Sequence, residues 1–239
     1  MSVEVFQVGD GIAVATPRHL VTRSSAFSPA SLSGLQMWLK AEAIAGLNDG
    51  DPVAQWNDQS GHNNHATQAV LAMRPAYKVN MVNGKPAVRF DAVDDWLVFG
   101  TQILTGMTIF AVARHLDQTS CLVGNAVSGL DFLLIDTGPL LTLVPSFSPA
   151  VAVVAAINSW QLYGGWIDGV NIQASVNLTN SGLVANANSI TLNTVGAYAL
   201  NSTWLMNGEI AEVILYDRAC SLAERTQIQN YFNQKYALF

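Results

Sequence analysis

Trp160-Gln161-Leu162-Tyr163-Gly164-Gly165-Trp166-Ile167-Asp168-Gly169-Val170-Asn171-Ile172-Gln173-Ala174-Ser175-Val176 is the stretch on which the fold class turns. Two runs rich in aromatic and branched residues flank Asp168-Gly169, and an Asp-Gly pair tolerates the positive φ angles of a tight hairpin. Antiparallel strands are therefore expected at 160–167 and 170–176.

The same pattern extends in both directions. Short apolar runs bounded by Gly, Asn and Asp predict strands at 35–40, 86–90, 107–113, 131–135, 140–144, 151–157, 189–196 and 209–216. Turn signals about every 8–12 residues suit a β-sandwich rather than alternating strand–helix units. Only the last segment reads as a helix. Ser221-Leu222-Ala223-Glu224 is a capping box, followed by an apolar stripe of Leu222, Ile228, Tyr231, Phe232 and Tyr236, with Lys235 near the negative end. No period typical of repeat arrays is visible.

Composition bounds the rest. The chain has 239 residues, half of them hydrophobic and six of them Trp, enough for one sizeable two-layer core. Residues 1–33 hold few large apolar side chains and end in Ser24-Ser25-Ala26-Phe27-Ser28-Pro29, which predicts an extended N-terminal arm ahead of a domain at 34–239. Gly9-Asp10-Gly11 lacks the further glycine and Lys-Ser/Thr of a phosphate loop and reads as a turn.

The net charge is −6, and no Lys or Arg occurs between Arg114 and Arg218. A nucleic-acid backbone needs several cations to displace its counterions, so nucleic acid is excluded as the expected partner. Residues 137–167 and 169–208 carry no charge of either sign, whereas about 25–35% of an ordinary soluble surface is charged. A neutral surface or cover by another subunit is expected there. The apolar window 139–157 is broken by Pro139, Pro145 and Pro149, which argues against membrane insertion. No signal-peptide pattern follows Met1, so synthesis in a cytoplasm is expected, with Cys121 and Cys220 as reduced, buried thiols.

Several segments, taken together, resemble the laminin-G-like branch of the concanavalin A-like lectin/glucanase superfamily. They are Leu39-Lys40-Ala41, Trp56-Asn57-Asp58-Gln59-Ser60-Gly61, Pro86-Ala87-Val88-Arg89-Phe90-Asp91, Asp94-Asp95-Trp96-Leu97, and 208–218 with Ser221, Glu224 and 231–236. The resemblance spans 35–238 and implies an all-β, two-sheet antiparallel jelly roll closed by a C-terminal helix. Such domains serve as binding or structural modules in polysaccharide-active proteins and in phage or other virions, and some relatives bind calcium or glycans.

Three groups are candidate sites. Asp58, Ser60 and Asn63 offer the oxygen atoms that Ca²⁺ prefers, against the plainer reading of a turn that satisfies its own backbone. No cofactor is otherwise required, and His62 and His65 lack a third strong ligand. Asp91, Asp94 and Asp95 could form a hydrolytic pair, but aspartates at a strand corner commonly cap amides. Trp160, Tyr163, Trp166, Tyr198 and Trp204 lie in neutral surroundings suited to stacking on sugar rings, against the default of core packing. The superfamily's hydrolases carry Glu-x-Asp-x-Glu, which is absent. Glu209 and Glu212, three apart on an expected strand, should point to opposite faces. No esterase elbow, His-Glu-x-x-His or Cys-x-x-Cys occurs either.

The expectation is a non-catalytic, lectin-like binding and assembly module. It would be a phage or virion component (capsid decoration, tail or fibre) at a particle surface, a homo-oligomer or part of a larger assembly. Its partners would be other subunits, met through the arm and the uncharged surfaces, and surface glycans. The alternatives are a carbohydrate-binding module of a bacterial surface protein and a polysaccharide-degrading enzyme.

Overall fold

A computed structural model describes residues 7–8, 11–12, 27–127, 131–136, 140–146, 151–198 and 204–239. The strands in chain order are β1 (Gln7–Val8), β2 (Gly11–Ile12), β3 (Leu35–Lys40), β4 (Gln55–Trp56), β5 (Ala66–Thr67), β6 (Ala76–Val82), β7 (Lys85–Asp91), β8 (Leu97–Leu104), β9 (Met107–His115) and β10 (Ser120–Gly124). There follow β11 (Phe132–Asp136), β12 (Leu140–Val144), β13 (Val151–Val154), β14 (Gln161–Ile167), β15 (Asn171–Val176), β16 (Thr179–Asn180), β17 (Val184–Ala185), β18 (Ile190–Val195) and β19 (Asn207–Tyr216), then helix α1 (Leu222–Tyr236).

Apart from the β1–β2 hairpin these form two antiparallel sheets. One runs β13-β12-β11-β10-β18-β8-β5-β4. The other runs β16-β15-β14-β9-β19-β7-β6, with β17 on β15 and β3 on β19. The jelly-roll sandwich with a terminal helix expected from the sequence is what the chain forms.

The 160–176 hairpin is present as β14 and β15, with Ile167 opposite Ile172. Only Gly169 of the Asp-Gly pair takes a positive φ, +86°; Asp168 instead accepts the amides of Val170 and Asn171 at 2.9 and 2.6 Å.

Alternation along each strand sorts side chains between faces. Met37, Leu39, Val88, Phe90, Ile109, Leu133, Leu143, Tyr163, Val213 and Leu215 fill the space between the sheets. The opposite face of the β9–β14–β19 sheet carries Trp38, Phe110, Val112, Leu162, Ile214 and Tyr216, which α1 covers with Ile228, Phe232 and Tyr236. A sheet buried on both faces cannot alternate apolar with polar, which is why 107–113 is a continuous apolar run. The same fact accounts for the last part of the neutral stretch 137–167, since every residue from Gln161 to Ile167 is buried. Burial, rather than an interface, supplies that part of the neutrality.

α1 begins as its sequence predicts: Ser221 Oγ accepts the Glu224 amide, and Glu224 accepts the Ser221 amide at 2.7 Å. Cys121 and Cys220 are free and buried in separate clusters, one outside each sheet.

Most of the 1–33 segment, and with it the tethering role expected of the arm, lies outside the described residues. Its last residues belong to the domain: Phe27 meets Tyr231 edge-on at 6.3 Å, the Pro29 carbonyl accepts the Tyr216 hydroxyl at 3.0 Å, and Leu32 packs on the helix-side core. Removing residues through Ser33 is therefore expected to lower unfolding stability by about 2 kcal/mol relative to removal through Ala26, measured by urea titration. Equal midpoints would mean that Phe27 and Leu32 contribute no packing.

Candidate functional site

Asp58 is the centre of a structural knot. Its Oδ1 accepts the amides of Trp38 and Ser60 at 2.8 and 2.9 Å, and its Oδ2 accepts the Ser60 hydroxyl and the Asn64 amide at 2.6 and 3.0 Å. Four donors aimed at one carboxylate leave little for a cation, so the Asp58–Ser60–Asn63 trio does not form the oxygen cage expected for calcium. Asn63 is exposed on the loop at φ +60°, and it is Asn64 that turns inward. His65 accepts the Asp58 amide through Nδ1 at 3.0 Å, while His62 is exposed.

Among the described residues, Asp91, Asp94 and Asp95 are the acids whose carboxylate oxygens gather within 4.8 Å of one another. Asp91 and Asp95 cap amides, as their position at a strand corner implied. Asp91 Oδ1 accepts from Val93 and Asp94 at 2.8 and 3.4 Å, and Asp95 Oδ2 accepts from Asp91 at 3.1 Å. Asp95 is 6% exposed, and burial, together with the neighbouring Asp91 charge, pushes its carboxyl up to about 7.

Glu209 and Glu212 require a correction. Ile210 pairs with Ala113 and Glu212 with Val112, so Ala211 is an extra residue, a β-bulge that returns both glutamates to the helix-side face. Both are fully buried and fully engaged. Glu209 takes Arg89 at 2.9 Å and Arg114 at 2.8 and 3.0 Å; Glu212 takes Trp38 Nε1, Tyr231, Lys235 and Tyr236 at 2.5–2.8 Å. Neither is free to move a proton to a substrate.

The five aromatics do not share a face. Tyr163 and Trp166 sit three apart on β14 and so point to opposite sides. Tyr163 is wholly buried between the sheets, unable to stack on a ligand. Trp166 is 5% exposed beneath Arg225, whose guanidinium carbon stands 4.1 Å from the ring centroid. Trp160 lies on the helix side, beside Arg114, lining a cavity of about 370 Å³ with Asn83, Ser159 and the end of α1.

Tyr198 and Trp204 do come together, on the outer face of the eight-stranded sheet, with ring centroids 5.4 Å apart and Phe132 edge-on to both at 5.1 and 5.3 Å. Trp204 is partly exposed, while Tyr198 beneath it is buried, 7% exposed. The end of β10 supports the pair, because Gly124 faces the Ala197 carbonyl and a side chain there would meet Tyr198 Cα at 3.3 Å.

The same sheet and its flanking loop also carry amides and hydroxyls that sequence reasoning missed, although Gln102, paired with the buried Leu192, lies on that residue's side of the sheet. Asn193 Oδ1 accepts the Ala126 amide at 2.7 Å and its Nδ2 reaches Thr101 at 3.4 Å. Gln102 donates to Asn64 Oδ1 at 3.3 Å and to the Gly100 carbonyl at 3.0 Å. Thr191 is partly exposed, and Thr67 and Thr101 are exposed. A side-chain amide has two donor and two acceptor positions, and in these bonds Asn64, Gln102 and Asn193 each use two. The signal was the alternation of Ile190 and Leu192 with Thr191 and Asn193 on β18; β8 shows none, and the two strands shift register between Leu192 and Thr194.

No family model matches the chain, and no curated protein sequence does. Solved structures share its fold at low identity. Domain 4 of AbnA, a GH43 extracellular arabinanase from Geobacillus stearothermophilus solved with arabinotriose, aligns with a TM-score of 0.58 at 13% identity, covering 82% of this chain and 97% of that one. The binding domain of Paraclostridial Mosquitocidal Protein 1 gives 0.55 at 13%, covering 86% and 54%. Trypanosoma rangeli sialidase gives 0.53 at 13%, covering 85% of this chain and only 33% of the enzyme. The chain thus spans about half of the toxin structure and a third of the sialidase.

Proposed function

We propose that this domain is a non-catalytic carbohydrate-binding module that takes glycans on the outer face of its eight-stranded sheet. The observation that carries the reading is the partly exposed Trp204 ring packed on Tyr198, on a sheet whose strand β18 also presents the partly exposed Thr191 and Asn193. An aromatic ring offers an apolar face to a sugar ring, and flanking amides exchange hydrogen bonds with its hydroxyls. The fold shared with the arabinanase domain solved with arabinotriose and with a toxin binding domain supports the same reading.

The non-catalytic reading is supported by Glu209 and Glu212, which are locked in ion pairs and hydrogen bonds, and by Asp91 and Asp95, which cap their own loop. Nor is a metal required, since Asp58 is saturated by protein donors. Whether the module belongs to a bacterial surface protein or to a laminin-G-like component of a phage or other virion is a matter of its surroundings. The exposed Val170, Leu178 and Leu183 within the uncharged 169–208 stretch favour an assembled particle as the second reading, tested by the native mass of the assembly.

Affinity gels cast with polysaccharide test binding, and released reducing ends test cleavage. Trp204→Ala is expected to weaken retention at least about tenfold, or about 1.4 kcal/mol, with the unfolding midpoint followed in parallel. Asn193→Ala, at a part-exposed position on β18, provides a second variant and should weaken retention by about threefold. Full retention by both variants, or reducing ends that disappear in Asp94→Asn, would overturn the reading.

A further inference from the structure

The charge distribution narrows the ligand of this face, on the premise that it binds glycans at all. None of the eight strands β4, β5, β8, β10, β11, β12, β13 and β18 contains a Lys or Arg. Among the described residues the cations lie outside these strands and are engaged. Arg89 and Arg114 hold Glu209, Lys235 holds Glu212 and Glu42, Arg218 holds Glu224, Lys78 holds Asp49, and Lys85 lies 3.4 Å from Glu42. Lys40 caps the Trp38 ring at 4.2 Å, and Arg225 covers Trp166. Arg74, the described cation that follows β5 most closely in the chain, turns its guanidinium onto the carbonyls of Gln68 and Ala69 at 2.8 and 3.1 Å.

We infer that the face selects neutral oligosaccharides and rejects anionic ones. Bringing a carboxylate or sulfate against it would strip water from the charge with no cation among the described residues to replace that water, in a protein whose net charge is already −6. Neutral hydroxyls require only what the face supplies, amide donors and acceptors and an aromatic plane. Because no ion pair forms, binding should also be insensitive to salt.

The test is retention of the full chain on gels cast with neutral polysaccharides (arabinan, β-glucan, mannan) and with acidic ones (polygalacturonate, polysialic acid), in about 20 mM and about 500 mM NaCl. Retention on at least one neutral polymer, about tenfold or more above that on either acidic one and changed less than about twofold by salt, is the expected result. Retention on an acidic polymer that equals or exceeds the best neutral one overturns the inference and leaves glycan binding standing. Retention on none of the polymers overturns the glycan reading itself, and the inference with it.

Discussion

Replacing Glu212 by alanine is expected to cost about 3–5 kcal/mol of unfolding free energy, a large part of the stability of a domain this size. The carboxylate is wholly buried where β19 passes under α1, and it ties together three elements. It receives Trp38 Nε1 from β3, and Tyr231, Lys235 and Tyr236 from α1. Removing it leaves an ammonium group, two phenols and an indole N–H facing a void, and each stranded donor carries its own desolvation penalty. Lys235 keeps Glu42, which is partly exposed and so a weaker substitute. Glu212→Gln should cost less, because an amide oxygen still accepts two of the donors. Pairing Glu212→Ala with Lys235→Met should recover part of the loss by removing the unpaired charge. Urea midpoints order the variants; a Glu212→Ala loss under about 1 kcal/mol would show that the hub is held by packing alone.

The hub also shows where sequence reasoning reached its limit. The strands at 35–40 and 140–144 and the helix from its Ser221 cap to Tyr236 were legible because local rules and tertiary context agreed there. β6, β8 and β10 carry no clear strand signal in the sequence, because each breaks the period-two pattern. Asn80 in β6 has φ +55°, Gly100 interrupts β8 under the Asn64 side chain, and β10 shifts register between Cys121 and Val123. A bulge inverts every inference about faces beyond it, which is why Glu209 and Glu212 were assigned to opposite sides. Of the candidate site, the chemistry of Tyr198 and Trp204 was visible in the sequence. The polar groups of the same sheet were not: β18 comes from late in the chain and β8 from its middle, and only the fold brings Asn193 to Thr101 and Gln102 to Asn64. Trp160, Tyr163 and Trp166 misled because aromatic residues in neutral surroundings look alike in sequence whether they face solvent, the helix or the core.

Asp95 gives the second large effect, with a pH signature. Its folded-state carboxyl lies at about 7 against an ordinary 3.8, so between those values the native protein holds a proton that the unfolded chain has released. Stability contributed by this group is therefore greatest below about pH 4, falls as pH rises toward 7 and is level above it. At about 1.4 kcal/mol per pH unit, the full penalty reaches up to about 4 kcal/mol at pH 8. Asp95→Asn keeps an oxygen for the Asp91 amide and removes the charge, so it should raise the unfolding midpoint at pH 8 and match the wild type near pH 4. Other groups titrate in the opposite sense. Burial lowers the basicity of the His115 ring, so its contribution is lost as pH falls through the ordinary histidine range, and Glu224, held at about 2 by Arg218, loses its contribution in acid. Those terms are common to both proteins. The wild-type-minus-variant difference isolates Asp95, and a difference that stays constant from pH 4 to pH 8 would show that this carboxyl titrates normally despite its burial among Asp91 and Asp94.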